Sequence, residues 1–250
     1  MLHSIYDIKH AYYINLEHRK DRKENAEKQL SLVNIHAERF NAIRLPNGAV
    51  GCSTSHLKCL ETAQENKWSH ILLCEDDIQF LDPQIFTKQM NSFFKKHQDD
   101  WDVVLLAGNN LPPYKKQEDD DTCVQVNHCQ TTTAYLVKSH YFETLISNVK
   151  EGLSKLIAEP EKHRRYAIDK YWLQLQKRDR WFLITPLTVV QKADYSDIEK
   201  KVTNYKSIMT DLDKPYFLKK QQEQKLKIIE NLKNAEKKKC KPNLSEIKYV

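Results

Sequence analysis

The stretch His70-Ile-Leu-Leu-Cys-Glu-Asp-Asp-Ile78 decides how this chain reads. Its first half is a short apolar run, the composition of a strand buried on both faces. Its second half sets Glu75, Asp76 and Asp77 side by side at the end of that strand. Adjacent acids repel one another, and a buried set of them calls for a cation. Successive strand side chains point to opposite faces, so Glu75 and Asp77 are expected to project together, in an E-x-D spacing that suits a hard divalent ion. An isolated triplet of this kind also reads as a solvated acidic turn, so the flanking segments have to decide.

Those segments alternate. Upstream lie a strand over Ala11–Leu16 and a helix over His18–Val33, with Ala26, Leu30 and Val33 at i, i+4 and i+7. A short strand follows over Ala37–Ala42, then turn chemistry at Leu45-Pro-Asn-Gly48. Ser53 or Thr54 is the expected cap of a helix running to about Asn66. Downstream, Asp82-Pro83 opens a helix to about His97, and Trp101–Ala107 is a buried strand that stops at Gly108-Asn-Asn110. A polar loop around Glu118–Asp121, a strand over Thr131–Val137, a helix over 164–177 and a strand over Trp181–Thr185 complete the body. This order predicts an α/β fold with a mostly parallel central sheet and helices on both faces. Ligands in such folds bind outside the carboxyl ends of the strands, where Glu75–Asp77 and Asn109 lie.

Composition narrows the function. The chain of 250 residues contains only four glycines and no glycine-rich phosphate loop, so any nucleotide is held another way. The net charge of +6 is concentrated: residues 214–241 carry ten Lys and three Glu, which leaves the rest of the chain at −1. A nearly neutral body argues against nucleic acid as partner. The basic segment reads as an amphipathic helix and a candidate foothold on anionic membrane headgroups. We therefore expect two parts, a domain over 1–205 and a basic helix and tail over 206–250. None of the six cysteines forms a C-x-x-C pair, and no signal peptide or membrane-length apolar run is evident. A cytoplasmic protein is expected, with peripheral membrane contact through the tail.

Several short motifs then fall in order: Tyr13-Ile-Asn-Leu16 with Arg19 and Arg22, Arg39-Phe-Asn-Ala42, Gly51-Cys-Ser-Thr-Ser-His56, Glu75-Asp-Asp77, Thr133-Ala-Tyr135, Ala167-Ile-Asp169, and Gln191 with Ser196-Asp-Ile198. Together they resemble glycosyltransferase family 25, which includes lipopolysaccharide and collagen galactosyltransferases. The resemblance implies a GT-A-type nucleotide-sugar-binding fold, a UDP-sugar donor and Mn²⁺ (or Mg²⁺). It implies a metal held by Asp77, Glu75 and Gln191. Donor contacts are expected from Ile14, Asn15, Leu16, Arg19, Arg22, Phe40, Asn41, Ala42, Ser55, His56, Glu75 and Asp76, with Asn109, Thr131 and Thr132 near the sugar.

The chemistry of these side chains agrees with that assignment. A leaving diphosphate concentrates negative charge, which a metal ion and nearby arginines stabilise. Ser55 and His56, read as lying at a helix start, would add donors at the positive end of its dipole. Direct displacement at an anomeric carbon needs a base to deprotonate the acceptor hydroxyl, and Asp169 is the candidate, with Glu159 and Glu161 behind it. The expected reaction moves a hexose, galactose or glucose, from a UDP-sugar to a glycan or hydroxylated acceptor with inversion. A metal-dependent nucleotidyltransferase and a non-catalytic carbohydrate-binding or scaffolding protein remain as alternatives.

Overall fold

The structure, a computed structural model, describes residues 2–239. It begins with strand β1 (Ala11–Asn15), helix α1 (Lys20–Ser31), β2 (Glu38–Asn41), α2 (Gly48–Glu65) and β3 (His70–Glu75). There follow β4 (Ile78–Phe80), α3 (Pro83–His97), β5 (Val103–Leu105), β6 (Asn109–Asn110), β7 (Tyr114–Gln117), β8 (Asp120–Val126), β9 (Cys129–Gln130) and β10 (Ala134–Lys138). Then come α4 (Phe142–Ala158), three short helices α5 (His163–Tyr166), α6 (Ile168–Tyr171) and α7 (Leu173–Gln176), and strands β11 (Trp181–Ile184), β12 (Val189–Gln191), β13 (Asp194–Ser196) and β14 (Lys201–Thr203). Helices α8 (Lys206–Met209) and α9 (Pro215–Lys239) close the described chain.

The main sheet has the order β2-β1-β3-β10-β5-β11-β8-β7. Strands β10 and β8 run against the other six, so the sheet is mostly parallel in direction, as expected. Strand β3 shows why both faces are covered. Its Leu72 and Cys74 enter one core with Ala26 and Leu30 of α1 and Phe86, Met90, Phe93 and Phe94 of α3. Its Ile71 and Leu73 enter the opposite core with Leu57, Leu60 and Ala63 of α2 and Leu145, Ile146 and Val149 of α4. Side chains alternating between two covered faces make the strand apolar throughout.

Four local expectations are corrected. Helix α2 starts at Gly48 because Asn47, not Ser53 or Thr54, caps it, its Oδ1 accepting from the amides of Ala49 and Val50. The helix expected over 164–177 is three short pieces, broken first at Ala167, whose ψ of 150° is extended. The strand expected from Thr131 starts at Ala134, because Thr131 takes a positive φ of 81° that ends the β6–β9 ladder. Residues 118–121 are not an open loop but the tip of the β7–β8 hairpin.

A first compact unit extends to Leu212, and a second begins at Asp213. The second contains α9, the helix expected of the basic tail; residues 240–250 of that expected segment, with Cys240, lie outside the described residues. No helix among the described residues is long and apolar enough to cross a membrane.

Candidate active site

Three parallel neighbours, β2, β1 and β3, end together, and the candidate site is built on their carboxyl ends. The chain leaves the strand at Glu75 and turns at Asp76 and Asp77 before β4. Strand alternation therefore stops one residue earlier than the sequence suggests. Glu75 faces α2, and the two aspartates share a partner from α1. Arg22 Nη1 donates to Asp76 Oδ1 at 3.0 Å and to Asp77 Oδ2 at 3.1 Å. Asn25, one turn further along α1, donates to the carbonyls of Asp76 and Ile78 and so holds the acidic turn from behind.

The arginines also reach across the cavity. Arg22 Nε donates to Asp194 Oδ2 at 2.9 Å, and its Nη2 to the Tyr195 carbonyl at 3.0 Å. Arg19 Nη2 donates to the same Asp194 oxygen at 2.6 Å and its Nη1 to Asp197 Oδ2 at 2.9 Å. The β13–β14 hairpin is thus fastened to the start of α1 by two guanidinium groups. Strand β12 supplies Gln191, whose Nε2 donates to Asp77 Oδ2 at 2.8 Å.

Burial makes this charge set unusual. Asp77 is 3% exposed, and burial followed by the Glu75 charge raises its carboxyl to about 7. Burial also raises Asp76, although the Arg22 charge and the Asn15 amide act against it. Burial pushes Glu75 upward too, but the His56 ring, the Thr132 hydroxyl and the Arg22 charge outweigh it, and the net shift is down. Asp77 Oδ1 has no hydrogen-bond partner although buried. A buried carboxylate oxygen without a partner, beside two further carboxylates and an amide, fits a hard divalent cation.

Two cavities meet here. The first, of about 180 Å³, is lined by Ile14, Leu16, Arg19, Arg22, Ala42, Ser55, His56, Glu75, Asp76, Asp77 and Gln191. The second, of about 430 Å³, is lined by Asn109, Thr131, Thr132 and Asp169, and shares Glu75 and Gln191 with the first. Asp169 Oδ2 accepts from the Thr131 amide and pairs with Lys170 Nζ, each at 3.2 Å, and Lys170 lies between Asp169 and Gln130.

Of the remaining expected contacts, Asn15, Phe40 and Asn41 stand behind the cavity walls, while Ser55 and His56 line the first cavity. Asn15 is 1% exposed, with its amide nitrogen on Asp76 Oδ2 at 2.8 Å and its Oδ1 accepting from Arg39. Phe40 packs against Tyr12, and Asn41 accepts from Arg39. Ser55 and His56 are not at a helix start; they are buried two turns into α2. The Ser55 hydroxyl donates to the Gly51 carbonyl and accepts from the Ile43 amide, which ties the cavity wall to the helix. Gly51 permits that approach, because a Cβ there would lie 2.6 Å from the Ile43 carbonyl oxygen.

Functional reasoning from the sequence missed Asp194, Arg39 and Cys52. Arg39 and Cys52 stand inside the short motifs, where they drew no comment, while Asp194 carries no local signal.

An α/β protein with a carboxylate-and-arginine pocket at its strand ends is the class that fold and site define. The sequence pattern of glycosyltransferase family 25 (LPS biosynthesis protein) matches residues 44–172, just over half of the chain. The chain belongs to glycosyltransferase family 25. It is 25% identical to the procollagen lysyl hydroxylase and glycosyltransferase of Acanthamoeba polyphaga mimivirus, over 67% of this chain and 25% of that protein. The chain thus spans about a quarter of that relative's length. Among solved structures it is similar to a glycosyltransferase involved in glycosylation of the PBCV-1 major capsid, at 12% identity and TM-score 0.42, with 71% of this chain and 81% of that one covered. It is also similar to a mutant Drosophila β-1,4-galactosyltransferase 7 in complex with manganese, UDP-Gal and xylobiose, at 13% identity and TM-score 0.30, with 54% and 50% covered.

Proposed function

We propose that this chain transfers a hexose, galactose or glucose, from a UDP-sugar to a hydroxyl of a glycan or hydroxylated acceptor, with inversion. The observation that carries this reading is the meeting of two cavities at Glu75 and Gln191, one edged by arginines and carboxylates and the other by Asp169. Donor and acceptor sites must touch at one point for direct displacement, and these two do.

In this reading Ile14, Leu16 and Ala42 form the apolar wall for the base, while Arg19 and Arg22 bind the diphosphate. Asp77, Glu75 and Gln191 would hold Mn²⁺ or Mg²⁺, which when bound supplies positive charge to the departing diphosphate. With a diphosphate bound, Arg22 would pass from Asp77 to the phosphate oxygens and leave that carboxylate to hold the ion. Asp169 takes the proton from the acceptor hydroxyl. The Thr131 amide and Lys170 hold its carboxylate in place. Thr132 and Asn109 face the transferred sugar. The alignment partner from mimivirus, named as a glycosyltransferase, is consistent with this chemistry.

The test is UDP release from a panel of UDP-hexoses with and without Mn²⁺. Turnover of one hexose donor, dependent on the ion, is expected; no turnover with any donor, or equal turnover in chelator, refutes the reading.

We further assign the first 205 residues to the transferase domain, and the basic segment from 206 to contact with anionic headgroups. Removing residues 219–250 is expected to abolish binding to phosphatidylserine vesicles, and undiminished binding refutes that role.

A further inference from the structure

We infer that Cys52, His56 and Glu75 form a site for one thiophilic divalent cation, zinc in class, on the wall shared by the two cavities. This goes beyond the proposed transfer reaction and does not require it. Cys52 and His56 stand four residues apart on α2, hence on one face, and Glu75 closes β3 opposite them. The Cys52 Sγ lies 3.8 Å from Glu75 Oε1, and His56 Nε2 lies 3.7 Å from the same oxygen. All three ligand atoms are within 4.8 Å of one another. Donors at about 2.1 to 2.3 Å around a tetrahedral zinc ion are separated by about 3.4 to 3.7 Å. The two separations that meet at Glu75 Oε1 are already close to the edges of such a tetrahedron.

The second observation is the state of His56. Its ring is fully buried and fixed by a 2.9 Å hydrogen bond between Nδ1 and the Tyr135 hydroxyl, with the two rings stacked. Nε2, on the far side, is buried without a hydrogen-bond partner. It is aimed at Glu75 Oε1, 3.7 Å away and beyond hydrogen-bond distance, and leaving such an atom unsatisfied is costly. A cation between Nε2 and Oε1 gives the unsatisfied nitrogen a partner, while Oε1 keeps the Thr132 hydroxyl as well. The surroundings match what a metal-bound imidazole needs: Tyr135 fixes the outer nitrogen, and the Thr132 hydroxyl, 2.7 Å from Oε1, orients the carboxylate.

Access and selectivity follow. Cys52 is partly exposed, and both it and Glu75 line both cavities, so an ion can enter and keep a water as fourth ligand. A thiolate and an imidazole select Zn²⁺, Co²⁺ or Cd²⁺ over the hard ions that suit Asp77. On binding, the Cys52 thiol gives its proton to solvent and the metal–sulfur bond replaces the S–H bond. A second cluster, His97, Asp120 and Cys123, has similar spacing but no unsatisfied atom, since Asp120 is taken up by Thr122, Lys96 and His97. It serves as the control.

The experiment titrates the metal-free full chain with Co²⁺. Expected is a near-ultraviolet thiolate-to-cobalt charge-transfer band that saturates at a single equivalent and is displaced by Zn²⁺. The band should disappear in Cys52→Ser and persist in Asp77→Asn and Cys123→Ser, while Tyr135→Phe should weaken zinc by about 10- to 100-fold. No band in the wild type, a band retained in Cys52→Ser, or one lost only in Cys123→Ser overturns the site. If Cys52→Ser fails to fold, alkylation of the wild type with peptide mapping decides: Zn²⁺ protection of Cys52 supports the site, and equal labelling with and without Zn²⁺ refutes it.

Discussion

The two cavities that meet at Glu75 balance their charge in opposite ways. On the first side the aspartates share two guanidinium groups before any ligand arrives: Arg22 serves Asp76, Asp77 and Asp194, and Arg19 serves Asp194 and Asp197. On the second side Asp169 has one backbone amide and one lysine. On the proposed reading, a site for a diphosphate needs cations already gathered, and those cations need counter-ions while they wait. A site for a neutral hydroxyl needs only a carboxylate held at one angle. In that reading the first side is tied to stability and the second to turnover.

That contrast is broken most severely by Asp169→Asn. It removes the proposed base but leaves the acceptor of the Thr131 amide in place. Turnover is expected to fall by about 10²- to 10⁴-fold, with the thermal midpoint nearly unchanged, since the residue is partly exposed. Wild-type turnover in a folded variant places the base elsewhere.

On the other side the order of effects reverses. Arg22→Ala leaves Asp76 and Asp77 buried without their cation, and the loss of one partner of a buried pair costs about 3 to 5 kcal/mol. Urea unfolding at pH 8 should show it, with part of the loss restored by Mn²⁺. A loss under about 1 kcal/mol would mean that water, not Arg22, compensates the acids.

Asp77→Asn sharpens the same point through pH. The folded carboxyl is raised to about 7 by burial and by Glu75. A raised carboxyl favours the folded state fully below its ordinary value near 4, and that contribution is lost as pH rises through about 7. The metal-free wild type should therefore lose stability between about pH 4 and 7 relative to Asp77→Asn, and the variant should be the more stable above pH 7. Parallel stability curves across that range would show that Asp77 is ionised throughout.

How far the sequence spoke for itself differs between the same two sides. The strands and helices around β1 to β3 were legible because each carries its own period, and Leu72/Cys74 and Ile71/Leu73 read as a strand covered twice. The acidic triplet was legible as a cluster at a strand end but not as a geometry, because the turn at Asp76 ends the side-chain alternation of the strand. The boundaries of α2 were misread because Asn47 stands in turn-like company and its capping bonds to Ala49 and Val50 are not visible in composition. Around Asp169 one helix over 164–177 was expected, since Ile168, Tyr171, Trp172 and Leu175 stand at helical spacing. The chain breaks it at Ala167 to bring Asp169 against Thr131, a contact spanning 38 residues that no local period encodes.

Thr131 itself gives the smallest expected effect and the finest cut between the two sides. A threonine at φ 81° is held where its Cβ crowds the backbone, at a cost of about 1 to 2 kcal/mol that glycine does not bear. Against that relief stand the lost hydrogen bond between its hydroxyl and that of Thr133, and the greater freedom of glycine in the unfolded chain, about 0.5 to 1 kcal/mol. Thr131→Gly is therefore expected to change stability by no more than about 1 kcal/mol in either direction. The amide that meets Asp169 survives the change, so kcat should hold as well. Thr131→Pro removes that amide and imposes a negative φ, and it should lower kcat without altering UDP affinity, read by calorimetry. If the glycine variant loses turnover as the proline variant does, the threonine hydroxyl and not the amide orients Asp169.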